Sequence, residues 1–211
     1  MKKYLPLLLA LLLCGCAAAP TETEPPQLRG SLTVLYLEEA VRIQCNEASA
    51  LVTWNSDISP EILENYGEDT PIFLGSGKES QFAAQQYLDC ARLTLHTIED
   101  SAALEVTFGE TRFLFLGNLP PEAQKNLAQI ILPCHVLHFC DSIVPEEALL
   151  SAAAPAYLVV SGDEDPALKK RFEIFDTDGF GTVTATSDGS DVKLSWFFVV
   201  KDSVASAQPA P

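Results

Sequence analysis

The chain has 211 residues, 47% of them hydrophobic, with 29 acidic against 13 basic residues and a formal net charge of −16. So acidic a surface repels nucleic-acid phosphates and anionic lipid headgroups, and no basic patch breaks it, so no nucleic-acid partner is expected. About 170 residues between Ser31 and Asp202 suit one domain with a sizeable core.

The opening "MKKYLPLLLALLLCGCAAAP" has a charged start at Lys2 and Lys3, an apolar stretch from Leu5 to Leu13 and small residues after it. This is the pattern of a secretory signal, expected over residues 1–15. The apolar stretch falls short of the ~20 residues that span a membrane. Leu13-Cys14-Gly15-Cys16 resembles a bacterial lipobox, in which a small residue precedes the cysteine to be acylated. Gly15 fulfils that role for Cys16, whereas bulky Leu13 precedes Cys14. A plain signal cleaved nearby is the alternative. Two acyl chains on Cys16 would anchor the chain stably to the cell membrane, on its extracytoplasmic face. Residues 16–30, rich in Pro, Thr and Glu, read as a flexible tether; 31–202 is the expected domain and 203–211 a disordered tail.

"LTVLYL", "VRIQC" and "ALVTW" are short β-rich runs and predict an antiparallel meander. "SPEILENYG" predicts a helix with Ser59 as cap, Pro60 at its first position and Gly67 as its stop. "PIFLG" reads as a buried strand. "SQFAAQQYLDCA" reads as a helix, with Phe82, Ala83, Gln86, Tyr87 and Cys90 around one side. "RLTLHTI" alternates, placing Leu93, Leu95 and Thr97 on one face, and "ALEVTFGETRFLFLG" predicts a hairpin turning at Gly109-Glu110. Helices are expected at "PPEAQKNLAQII", "VPEEALLSAA" and "DPALKKRFE", and strands at "HVLHF" and "AYLVVSG". "GTVTATSDGSDVKLSWFFVV" closes the chain as a hairpin turning at Asp188-Gly189. Strands first, then strand–helix alternation, then a hairpin, predict an α/β sandwich.

Several segments, in this order, resemble one family. "LTVLYLEEAVRIQCNEASALVTWNSD" is similar to a pattern LxVxFLDVGQGDAxLIQxPxGxxxLIDAG, and "ALEVTFGETRFLFLGNLPPEAQKNL" to SLVLxLxYGxxxFLLTGDLExEAExxL. "ILPCHVLHFCDS" followed by "EEALLSAAAPAYLVVS" resembles ADVLKVPHHGSxxSxxxxFLxxVxPxxAVIS, and "FDTDGFGTVTATSDGS" resembles YRTDxDGTVTxTSDG. These are patterns of the metallo-β-lactamase fold as it occurs in the extracytoplasmic hydrolase-like domain of the competence protein ComEC. The similarity covers most of residues 31–195. It implies an αββα sandwich, here truncated or degenerate, and a two-metal hydrolase site.

That site is where the chain departs from the pattern. The resemblance places a metal-bridging Asp after the strand's Gly, and this chain has Asn118, an amide without charge. The H-x-H-x-D-H signature corresponds to "PIFLGSGKES", around Gly75 and Ser76, which has no histidine. The GQGD turn is shortened to Glu38–Ala40, and the HHGS segment is replaced around Cys140, Asp141 and Ser142. A dinuclear hydrolase needs several imidazoles, a bridging carboxylate and an open water position. The expectation is therefore a remnant site at Gly75, Ser76, Asn118, Cys140 and Asp141, with no metal, no cofactor and no catalytic residue.

Other candidate sites are weaker. "CHVLHFC" offers two thiols and two imidazoles, but His135 and His138 have opposite parity on a strand. "DTDGFGTVTATS" fails the calcium-loop pattern at Phe180 and Ser187, and a Gly-rich turn is the better reading. "GSGKES" lacks phosphate-loop spacing. Ser76, Ser142 and Ser161 lie near strand ends without G-x-S-x-G context, and Cys140 beside His138 allows a thiol–imidazole pair. Cys45, Cys90, Cys134 and Cys140 allow three full pairings or four buried thiols, although an extended strand keeps Cys134 and Cys140 apart. The expected function is a tethered, non-catalytic binding or accessory module, with an unknown protein or small-molecule partner. Its rivals are a divergent metal-dependent hydrolase of phosphodiesters and a purely structural envelope protein.

Overall fold

The computed structural model describes residues 27–54, 58–74, 84–98, 101–140, 143–162, 166–177 and 181–197. The leader, residues 16–26 of the tether with Cys16, the tail, Gly75, Ser76 and Asp141 lie outside the described residues.

The first sheet joins strands from both ends of the chain. Its strands are β1 (Leu32–Tyr36), β2 (Ala40–Cys45), β3 (Ala48–Thr53), β4 (Thr70–Phe73), β12 (Thr182–Ser187) and β13 (Val192–Phe197), in the order β13-β12-β1-β2-β3-β4. All pairs are antiparallel except β3 with β4, which are bridged by helix α1 (Pro60–Tyr66). The meander and the closing hairpin are as expected from their alternation.

The second sheet contains β5 (Gln85–Leu88), β6 (Ala91–Ile98), β7 (Ser101–Phe108), β8 (Thr111–Phe115), β9 (Val136–Cys140), β10 (Tyr157–Ser161) and β11 (Glu173–Asp176), ordered β11-β10-β9-β8-β7-β6-β5. Pairing is antiparallel from β5 to β8 and parallel from β8 to β11. Parallel neighbours need crossovers, and α2 (Pro121–Leu127), α3 (Glu147–Ala153) and α4 (Pro166–Lys169) supply them.

Period-two alternation sorts the side chains into two cores. Val34, Tyr36, Ile43, Leu104, Val106, Phe113, Phe115 and Val136 meet between the sheets. Residues of opposite parity, Leu114, Leu137, Phe139, Leu158 and Val160, pack on the far side under Leu127, Leu149, Leu150 and Leu168 of the helices. Central strands of the second sheet are thus apolar on both faces, which is why "FLFL" and "YLVV" read as continuous runs. Each fully buried large side chain contributes about 1.5–3 kcal/mol. Among the described residues, the outer face of the first sheet carries α1, which buries no residue. It is held by Arg42, whose Nε lies 2.6 Å from Asp69 Oδ2 and whose guanidinium sits over the Tyr66 ring. The result is the expected α/β sandwich, αββα in order, with one short helix described in the outer layer of the first sheet.

Three expectations are corrected. The described part of "SQFAAQQYLDCA" is not helical: Gln85–Leu88 is a strand and Ala91 opens the next, with Leu88 opposite Ala91. Asp89 turns the chain at φ 53°, a left-handed conformation that a helix cannot pass through. "EIFD", assigned in part to the helix before it, is strand β11 beside β10. Ser59 occupies the cap position of α1 without a side-chain cap bond; its own N–H instead donates to Glu39 Oε2 at 3.0 Å. Trp196 is 43% exposed and lies 5.6 Å from the Phe175 ring, so one aromatic of the last strand does face solvent.

Candidate functional site

One end of the sandwich gathers the ends of β1, β3, β4, β8, β9 and β10. At the end of β8 the chain turns at Gly117 with φ 53°, and a Cβ there would meet Leu74 Cβ at 2.7 Å. Only glycine fits both the conformation and the approach. The turn aims Asn118, half-buried, at the neighbouring sheet, where its Nδ2 donates to the Trp54 carbonyl at 3.2 Å. Its Oδ1 accepts from Cys140 Sγ at 3.7 Å, and the Gly117 carbonyl lies 3.8 Å from the same sulfur. Two of the predicted residues, Asn118 and Cys140, therefore meet. Gly75, Ser76 and Asp141 lie outside the described residues.

Beside them lies His138, 1% exposed, whose ring is flanked by Trp54 at 5.0 Å, Tyr36 at 5.4 Å and Phe115 at 5.8 Å. Its Nε2 meets Ser161 Oγ at 2.9 Å, and Ser161 Oγ donates to the Leu37 carbonyl at 3.2 Å. Nδ1 is buried and has no hydrogen-bond partner among the described residues. Burial pushes the imidazole down to about 3. Ser161 Oγ thus has two neighbours, the His138 imidazole and the Leu37 carbonyl, and its hydroxyl links them. It is a relay that ties β10 through β9's neighbourhood to the end of β1. Sequence reading missed this role; the signal available was that His138 shares strand parity with Val136 and Cys140, both on the inner face.

The zinc reading of "CHVLHFC" is not assembled. Cys134 belongs to the helix-side core and Cys140 to the inner one, while His135 Nδ1 accepts the Arg112 backbone N–H at 3.2 Å. The donors also test a two-metal centre at the corner. Among the described residues they are an amide oxygen, a thiol and an imidazole committed to Ser161. That set does not fit a pair of divalent ions, which need carboxylate and several free imidazoles.

A cleft of about 350 Å³ opens next to this corner, lined by Leu37, Glu38, Glu39, Glu61, Thr177 and Thr182 among others. Among the described residues three carboxylates and no basic side chain line it, so its field favours cationic or hydrogen-bond-donating groups.

No family model matches the chain, and no curated protein matches it. Similar solved structures are metallo-β-lactamase-fold proteins at low identity. One is YhfI of Bacillus subtilis, described as a metallo-β-lactamase fold protein, at 10% identity and TM-score 0.45, covering 70% of this chain and 97% of that one. Another, from Thermotoga maritima, is described as a zinc-dependent hydrolase of the metallo-β-lactamase superfamily, at 7% identity and TM-score 0.42, covering 71% and 84%. CmlA of Streptomyces venezuelae, a diiron β-hydroxylase, follows at 10% identity and TM-score 0.39, covering 74% of this chain and 53% of that one.

Proposed function

We propose that the chain is a lipid-anchored, extracytoplasmic domain of metallo-β-lactamase-like build, close to the ComEC hydrolase-like domain in motif order, that binds rather than cleaves. The observation carrying this reading is the state of the corner where the fold's chemistry would sit. Asn118 spends its amide on the Trp54 carbonyl and its oxygen on Cys140, and His138 is sealed among three rings with its Nε2 against Ser161 Oγ. A binding or accessory role uses the adjoining acidic cleft, whose carboxylates suit a cationic group on a protein or small molecule. Lipidation at Cys16, with the signal before it and the tether after it, would hold this face at the outer membrane–water boundary.

The test is metal content and hydrolysis. Purified full-length protein is equilibrated with zinc or manganese, desalted and analysed by mass spectrometry for bound metal. The expected result is no pair of ions per chain and an unfolding midpoint that a chelator leaves unchanged. Two ions per chain, together with phosphodiester hydrolysis abolished by the chelator, would replace this reading with the divergent hydrolase.

A further inference from the structure

We infer that Cys45 and Cys90 form a disulfide that staples the two sheets together at the end of the sandwich opposite the Asn118 corner. Their sulfurs lie 3.3 Å apart, both residues are at most 8% exposed, and 45 positions of sequence separate them. Cys45 ends β2 in the first sheet, and Cys90 sits in the β5–β6 turn of the second. A bonded pair has its sulfurs about 2.05 Å apart, so closure asks for a shift of about 1.2 Å, within reach of small side-chain rotations at two turn-flanking residues. Cys134 and Cys140 offer no comparable pair with each other, since they lie in different core layers.

The rival occupant is a soft divalent cation. The Asp89 carboxylate lies with both sulfurs in one group whose ligand atoms are all within 4.8 Å. Two thiolates on a tetrahedral zinc, each about 2.3 Å from it, stay about 3.8 Å apart. The observed spacing is shorter than that. Burial first, and then the Cys90 hydrogen bond, push the Cys45 thiol up to about 11, and Cys90 Sγ donates to the Arg29 carbonyl at 3.1 Å.

Oxidation by a small disulfide such as oxidised glutathione balances the chemistry. The thiolate of Cys90, the more exposed of the two, attacks one glutathione sulfur, forms a mixed disulfide and releases a first glutathione thiolate. The Cys45 thiolate then attacks Cys90 Sγ, the Cys45–Cys90 bond forms and the second glutathione leaves. The two protons of the protein thiols end on the two glutathiones.

Full-length protein in a glutathione redox buffer is alkylated under denaturing, non-reducing conditions and digested with trypsin. Cleavage after Arg42, Lys78 and Arg92 places the two cysteines in separate peptides, 43–78 and 79–92. The expected product is these two peptides joined, separating on reduction and persisting in Cys134→Ser. Reduction of the wild type, or the Cys45→Ser/Cys90→Ser pair, is expected to lower the unfolding midpoint by about 10 °C. Comparing oxidised with reduced wild type keeps the test open should the variant fail to fold. Both peptides recovered singly alkylated after oxidation, either cysteine joined to another partner, or zinc shielding both thiols from alkylation in place of a cross-link would each overturn the staple. None of these readouts depends on acylation or on metal at the corner, so the staple and the proposed function stand or fall separately.

Discussion

An unfolded chain takes up a proton on His138 near pH 6.5, whereas burial holds the folded imidazole neutral down to about 3. Above pH 6.5 both states are neutral and the group is indifferent. As pH falls through the window from 6.5 to 3, the unfolded state binds more protons and stability drops by about 1.4 kcal/mol per unit. Urea unfolding at pH 7 and pH 5 should therefore differ by roughly 2 kcal/mol from this residue. His138→Gln keeps a donor for Ser161 and removes the titration, so its stability should be lower at pH 7 yet flatter with pH; an unchanged slope would show that the ring titrates normally. Glu105, lowered mainly by its hydrogen bond from His96, weakens the fold only further down, as pH falls through the carboxylate range. Asn118 was legible in sequence because a fixed motif position names it. The surroundings of His138 were not, since Tyr36 and Phe115 come from two other strands and Trp54 from the residue just past a third.

At the scale of elements, none of the four helices among the described residues exceeds seven residues. Isolated helices of this length are marginal in water, so buried apolar faces decide α2, α3 and α4: Ala123 and Leu127, Leu149 and Leu150, and Leu168 are buried. The C-cap residue of α3, Ala154, sits at φ 38° and ψ 52°, a left-handed conformation that glycine adopts without a Cβ penalty. Ala154→Gly should therefore stabilise the domain by about 0.5–1 kcal/mol, seen as a higher midpoint in thermal denaturation. A lower midpoint would mean that the cap is held differently. The strand at Gln85–Leu88 shows why short elements mislead. Four residues satisfy a helical period and an alternating one equally well, and the partner, β6, settles the matter by accepting Leu88 into the inter-sheet core. Longer runs such as "ALEVTFGETRFLFL" have one consistent reading, and there the hairpin stands where its Gly109 turn puts it.

For the whole molecule, the proposed anchor makes a prediction of its own. In a bacterium with lipoprotein-processing enzymes, Cys16→Ser should lose incorporation of labelled palmitate and move from the membrane to the soluble fraction, because the acyl chains have no thiol to attach to while the domain is untouched. Retention in the membrane fraction would point to another attachment. The two sheets also touch at the end away from the corner, where Glu110 N–H donates to Gly189 O at 2.6 Å and Thr111 Oγ1 meets Ser187 Oγ at 2.8 Å. A Cβ at Gly109 would collide with that Gly189 carbonyl, so the close fit depends on glycine. Sequence alone determined the acidic surface, the alternating strands with their two burial parities, and an uncharged amide at position 118, because these are local properties of residue type and spacing. Tertiary structure alone decided that β12 pairs with β1, that Cys45 meets Cys90, and that His138 is walled into a neutral state. Those outcomes arise where segments tens of residues apart pack face to face, and no local period encodes which of them become neighbours.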